Sequence, residues 1–347
     1  MTKYNESQFS RKIIYLSAIL SILVVAIHTY NIGIYHIEPT TAFNAFVYYY
    51  EEYWHRYEEF CVPFFFILSG YLFYVNYSLI VSTIKKKYFS RFRTLFIPFI
   101  LWNSIGYIFY ALITHLPFTA SRMNMTPVDL SVNGYLYAMW DSTYNGSLWY
   151  VRNLLILIAF SPIIYVLFKN YKKIPLGIFS LVFFMLYIFT PMHIFTYDRY
   201  DRNIYFFIGA YIAINHKDFL YQKRTKSSLP ILLISLLMNC FPTTNEFMNF
   251  IRIIASVYAI WFLPIDALLE KEPKWYMKIS FFVYCAHSII LETLEKIWLI
   301  IGGRQTISAL ADYLLMPFIA IGFITLLAKI IKTICPPMWN ILSGGRG

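Results

Sequence analysis

Charge is what this sequence has least of. Only 14% of its 347 residues are Asp, Glu, Lys or Arg, against about a quarter in an ordinary soluble domain, and that shortage excludes a typical soluble enzyme. Glycine and proline are scarce too, at 13 and 15 residues with no periodic or low-complexity tract, so collagen-like, linker-dominated and disordered chains are excluded. The four cysteines, Cys61, Cys240, Cys285 and Cys335, form no CxxC pair and have no metal-like spacing; they read as small core residues. The histidines are dispersed as well, so no metal site is expected.

Apolar residues fill the gap: 59% of the chain is hydrophobic and 20% aromatic. No soluble stretch between the apolar runs is long enough to build a second core, so residues 1–347 read as one polytopic membrane domain. The first ten residues are polar and no small-residue cleavage site follows the first apolar run, which is expected to be a retained span. A helix crossing about 30 Å of hydrocarbon needs roughly 20 residues, because an unpaired peptide group in lipid costs several kcal/mol. Ten stretches qualify, near Ile13–Tyr35, Phe60–Val81, Thr94–His115, Ser147–Phe168, Ile174–Phe195, Asn203–Asn215, Leu229–Phe241, Phe247–Leu269, Ser280–Ile301 and Leu310–Ile334. The sixth and seventh are short. The expected fold is all-α, with about ten transmembrane helices in the cytoplasmic membrane.

An even number of spans places both termini on one side, and the positive-inside rule selects the cytoplasm. With that orientation the intracellular segments hold 21 of the 29 lysines and arginines. The same spacing explains the net charge of +11 through topology, without invoking nucleic acid. The opposite face is acidic: Glu38, Glu51, Glu52, Glu58 and Glu59 fall in the first external segment. Its aromatic run, Tyr48–Tyr50 with Tyr53 and Trp54, suits an interfacial helix, a cap over a cavity or an aromatic belt.

Ionisable side chains inside apolar spans are costly and mark functional positions. His28 lies 15 residues after Ile13, roughly 22 Å along a helix, in the outer half of the bilayer. A histidine there can take and return a proton near neutral pH, as general acid–base chemistry on a hydroxyl requires, or can simply bond to a neighbouring helix. His287 in the ninth span has the same two readings, with Glu292 and Glu295 after it. Arg152 in the fourth span calls for a carboxylate partner that the sequence does not identify. The run Lys85-Lys-Lys-Tyr-Phe-Ser-Arg91-Phe-Arg93 serves either as a stop signal against anionic headgroups or as a phosphate clamp. Ser69 is either a nucleophile or, more ordinarily for a membrane serine, bonded back to its own helix, beside Gly70, which permits close helix approach.

Six segments in this order resemble the family-3 membrane acyltransferases, integral membrane proteins that O-acylate bacterial surface polysaccharides and related molecules. They are Val24-Val-Ala-Ile-His28; Val62-Pro-Phe-Phe-Phe-Ile-Leu-Ser-Gly-Tyr-Leu-Phe73; the basic run into Ile97-Pro-Phe-Ile-Leu-Trp102; Ser147-Leu-Trp-Tyr-Val-Arg-Asn-Leu154; Phe206-Phe-Ile-Gly-Ala-Tyr211; and Ile279-Ser-Phe-Phe-Val-Tyr-Cys-Ala-His287. The terminal Gly344-Gly-Arg-Gly347 accompanies them. The resemblance implies transfer of an acyl group, commonly acetyl, from cytoplasmic acyl-coenzyme A as co-substrate to a hydroxyl of an envelope glycan or glycolipid, in contact with membrane lipid. It makes His28 the catalytic residue and Arg91 and Arg93 the donor-binding pair, while Arg152, His287, Ser69 and Lys12 remain cavity or structural positions. Because the donor enters from the inner face and His28 lies toward the outer one, the donor's arm has to thread much of the bilayer.

Two features depart from the family pattern. The basic residue usual eleven positions before the histidine is Ser17 here, and the two arginines are separated by one residue instead of two. Either Lys12 or another helix supplies the missing charge, or donor handling differs, or the chain is an inactive relative. A transporter or flippase for a glycolipid or hydrophobic solute, with His28, His287 and Arg152 as binding or relay groups, is the reading from a different class.

Overall fold

The structure, a computed structural model, describes residues 3–116, 126–170, 202–242 and 245–346. Among them no β-strand occurs; a single antiparallel bridge joins Lys3 to Gln222, and the regular elements are helical, as the absence of water to satisfy the backbone requires. In chain order they are α1 (Glu6–His28), α2 (Ile32–Tyr35), α3 (Ala42–Glu58), α4 (Cys61–Tyr74), α5 (Val81–Arg91), α6 (Ile97–His115), α7 (Val132–Asp141) and α8 (Trp149–Ala159). After these come α9 (Ser161–Asn170), α10 (Asn203–Asn215), α11 (Thr225–Asn239), α12 (Glu246–Trp261), α13 (Asp266–Leu269), α14 (Ser280–Gly302), α15 (Thr306–Ile334) and α16 (Pro336–Leu342).

Three of the described helical stretches are long and apolar enough to cross a membrane: Glu6–Tyr35, Val81–His115 and Thr306–Ile334. A fourth results if Gly146–Ala159 and Ser161–Lys169, bent by 63°, count as one span. The fourth expected span is thus broken in two. Pro162 accounts for the break, since its ring has no N–H and clashes with the carbonyl one turn earlier. The third is longer than expected: α5 runs into α6 through a π-helical turn at Phe92–Phe96, which widens the helix just where Pro98 leaves a carbonyl unpaired. α14 has the length, 23 residues, but every window of spanning length in it includes Glu292, Glu295 and Lys296. α4 and α10 are short, at 14 and 13 residues. The expected fifth span, Ile174–Phe195, lies outside the described residues.

The chain divides into two compact units, Met1–Ser69 with His216–Leu327 and Gly70–Asn215 with Ala328–Arg346. In the first, α11 and α12 form an antiparallel hairpin and α1 packs along α14 and against α3. α1 starts at a capping box, in which Asn5 and Gln8 each satisfy the other's backbone N–H. Its beginning is further tied by Lys3 to Asp218 at 2.5 Å, by the Tyr221 hydroxyl to Glu6 at 3.1 Å, and by Arg11, which donates to the Leu269 and Glu270 carbonyls at 3.0 Å. α3 is inverted in polarity: Glu51 and Glu58 are buried while Phe46 and Tyr49 are more than half exposed.

In the second unit two of the segments carrying the resemblance meet. A Cβ on Gly70 would run into the Phe206 carbonyl and come within 3.0 Å of the Ala210 nitrogen, so α4 and α10 touch backbone to backbone. Trp102 on α6 donates its indole N–H to the Leu342 carbonyl at 3.1 Å, joining the Ile97–Trp102 motif to the end of α16. There Gly344 and Gly345 adopt φ of 62° and 71° and turn the chain back, so that the Gly345 N–H reaches the Asn340 carbonyl at 2.8 Å. Because the helix backbones leave no room at Gly70, Gly70→Ala is expected to lower stability by about 1–3 kcal/mol. Thermal unfolding in detergent measures this, and an unchanged midpoint would refute the close approach.

Candidate active site

α1 delivers His28 as its last residue, about 33 Å along the axis from Glu6. The neighbouring Val24, Val25, Ala26 and Thr29 are buried, whereas His28 is exposed and makes no hydrogen bond among the described residues. Its ring centroid stands 5.1 Å from that of His287 on α14, with the planes tilted by 45°. His287 is fully buried. Its Nδ1 faces the Tyr284 carbonyl at 2.7 Å; a carbonyl only accepts, so in the neutral ring Nδ1 carries the proton and Nε2 keeps a lone pair. That Nε2 is buried without a partner.

Around this pair the first unit gathers groups that the sequence left dispersed. Tyr30 donates its hydroxyl to Glu52, and its ring stacks on His55 at 4.3 Å. Asn31 donates from its backbone to Glu51 at 3.4 Å and from its side chain to Asp312 at 3.2 Å, and Tyr35 also donates to Asp312 at 3.2 Å. Glu51 Oε1 and Asp312 Oδ1 remain unpartnered. Among the described residues no group of acidic, histidine and cysteine side chains is placed to hold a metal ion. Arg252 on α12 is also buried and bonds to the Arg56 carbonyl at 2.9 Å, to Asn239 at 3.2 Å and to Glu59 at 3.3 Å. Sequence reasoning missed Arg252, Asp312 and His55. Arg252 and Asp312 interrupt the eighth and tenth expected spans, so the rule that singled out Arg152 would have found both; nothing in the sequence distinguishes His55.

Lys12 is fully buried, its amine 4.2 Å from the Tyr4 ring and 5.0 Å from that of Trp261. The cation faces aromatic π-density and has no hydrogen-bond acceptor. Ser17 lies three turns before His28 on the same stripe of α1 and accepts at its carbonyl from Ser21 at 2.7 Å. With Lys12 caged and Arg11 holding the carbonyls of Leu269 and Glu270, neither nearby basic residue occupies that stripe.

In the second unit Arg152 has its carboxylate partner: Asp141, 3.5 Å away, with both side chains buried. Arg152 also donates to the Trp140 carbonyl at 3.2 Å. Arg91 and Arg93 are not brought together on one ring. Arg91 is half-buried with its guanidinium 5.9 Å from the Phe73 ring, and Arg93 is exposed over Phe89 at 5.7 Å. The neighbour Arg91 does have is Lys87, one turn earlier, whose amine lies 5.1 Å from the same Phe73 ring and donates to the Phe73 carbonyl at 2.6 Å. Neither cation is paired with a carboxylate among the described residues. Ser69 is half-buried on α4.

The segments carrying His28, Arg91 and Arg152, and the one ending at His287, all lie within residues 11–332, which match the model of a family described as an acyltransferase domain, the third of that name. The chain belongs to the family-3 acyltransferases. No curated protein and no solved structure matches it. The apolar helices and the family together make this acyltransferase-family chain a membrane protein.

One electrostatic consequence concerns α3, which is not among the spanning helices. Burial, with smaller contributions from Asp312 and Glu52 and against the pull of the Asn31 N–H, pushes Glu51 from its ordinary 4.5 up to about 8. The folded protein holds this carboxyl neutral, whereas the unfolded chain ionises it above 4.5. Stability is therefore greatest below the unfolded value and is lost as pH rises through about 8. Glu51→Gln is expected to flatten that decline and raise the unfolding temperature at pH 8 by several degrees; a parallel decline in both proteins would show that Glu51 is not the group responsible.

Proposed function

We propose that this family-3 acyltransferase is a single multi-pass domain of the cytoplasmic membrane, with about ten spans and both termini in the cytoplasm. In this reading it moves an acyl group, commonly acetyl, from acyl-coenzyme A to a hydroxyl of an envelope glycan or glycolipid. What carries the proposal is the position of His28 within the family match: an exposed histidine with unbonded nitrogens at the end of α1, its ring beside that of His287. A side chain placed there can receive a proton from a substrate without first breaking a protein contact.

The step is general-base catalysis of acyl transfer. One His28 nitrogen takes the proton of the acceptor hydroxyl while the hydroxyl oxygen forms a bond to the thioester carbonyl carbon. The C–S bond then breaks, and the leaving thiolate takes the proton from the imidazolium, giving the ester and free coenzyme A. Arg91 and Arg93 are the donor-binding residues by family position. The side-chain arrangement favours Arg91 acting with Lys87, because two unpaired cations on one face suit the phosphates of coenzyme A, and a guanidinium fork matches phosphate oxygens.

Ser17 supports a second reading. With no cation on its stripe of α1, an inactive relative is the alternative. The same assay decides between the two. Purified protein in lipid, given acetyl-coenzyme A and a glycan extract, is expected to release free coenzyme A, and His28→Ala to reduce kcat by at least about 100-fold. Arg91→Ala and Lys87→Ala are each expected to raise the KM for the donor about tenfold, with Arg93→Ala having the smaller effect. No release by the wild type across a panel of acyl donors would favour the inactive relative.

A further inference from the structure

We infer that His287 is the positioning partner of His28 in the proposed reaction, a neutral imidazole that accepts a hydrogen bond from His28 and so fixes which His28 nitrogen meets the acceptor hydroxyl. The inference rests on the general-base reading and adds a residue to it.

Three observations converge on His287. Its Nδ1 is committed to the Tyr284 carbonyl at 2.7 Å, which sets the tautomer and leaves Nε2 as an acceptor. That Nε2 is buried in a residue with no exposed surface and has no partner. An orphaned acceptor in such surroundings forfeits a hydrogen bond and persists where something supplies the donor at another stage. The side chain 5.1 Å away by ring centroid is His28, itself exposed and unbonded. At that separation a rotation of the exposed ring brings an N–H of His28 to Nε2 of His287, a contact of the kind that is loose without substrate and tightens in the complex.

The proton inventory then closes. Neutral His28 donates one N–H to His287 and presents its other nitrogen, with the lone pair, to the acceptor hydroxyl. When that nitrogen takes the hydroxyl proton, the imidazolium still donates to His287, so the charge has a fixed acceptor until the departing thiolate removes the proton. His287 gains and loses no proton itself. Its part is the one a carboxylate plays behind a catalytic histidine, holding tautomer and orientation, here played by a neutral ring. His55, the other imidazole nearby, stacks its ring on Tyr30 and bonds to the Ile27 backbone, whereas it is the His287 ring that lies against that of His28.

Two substitutions separate positioning from packing. His287→Phe keeps a planar ring and removes the acceptor, while His287→Gln supplies an amide oxygen in its place. His287→Phe is expected to lower kcat about 100-fold with the donor KM changed by less than about threefold, and His287→Gln to recover at least about tenfold of that loss. Equal loss in both variants, or no loss in His287→Phe, overturns the assignment. The pairing is also read without turnover: in protein labelled with 15N-histidine, the Nε2 resonance of His287 is expected to move on His28→Ala, and an unmoved resonance overturns the assignment too. An inactive wild type would count against the acyltransfer reading alone, since the resonance experiment still decides the pairing.

Discussion

Hydrocarbon offers a polar group nothing to bond with, and most of what is specific in this chain follows from that constraint. It makes the described fold helical and obliges each charge within the apolar bundle to find a local answer. The answers differ. Arg152 has a carboxylate in Asp141 and a carbonyl in Trp140; Arg252 spreads its donors over a backbone carbonyl, two asparagines and Glu59; Lys12 has neither and settles among rings. Some buried groups find no answer, and His287 Nε2 is the one whose ring lies against that of the exposed His28. At that pair an unsatisfied acceptor and an exposed ring meet within the first unit.

Much of this was legible in the sequence, and the limits are physical. Hydropathy found apolar helices, since burying a run of apolar residues in lipid requires the same composition wherever the helix sits; α10 begins and ends where the apolar run Asn203–Asn215 does, though three described stretches, or four with the bent pair, are long enough to cross a membrane. Gly70 was legible as a site of close approach because only glycine leaves that room. What composition does not encode is where a helix ends within an apolar run. The break before Pro162 and the π-turn before Pro98 are local backbone effects within stretches that average out as uniformly apolar.

Partners were the least legible part. His28 and His287 are separated by more than two hundred residues and meet only because α14 packs along α1. Asp141 lies eleven residues from Arg152, on α7, a helix too short and too mixed to stand out as a span. α3 misled in an instructive way. Its aromatic run suited an interfacial helix, a cap or a belt; of those rings Tyr49 is exposed and the others are half-buried, and the helix carries two glutamates inward. A period of 3.6 with the apolar face outward is the reverse of a soluble helix, and recognising it requires knowing what solvent each face meets.

The anchoring of α1 has a mechanical meaning. Lys3, Glu6 and Arg11 grip its first two turns through Asp218, Tyr221 and the carbonyls of Leu269 and Glu270, so the helix is pinned axially at the end opposite His28. Sliding by one helical turn, about 5.4 Å, would break all of these contacts together. A carrier that alternates access needs elements able to shift past one another; a catalyst needs its base at a constant height against the reacting bond. α1 is built as a strut of fixed register, and the position of the imidazole is set by hydrogen bonds a full bilayer thickness away from it.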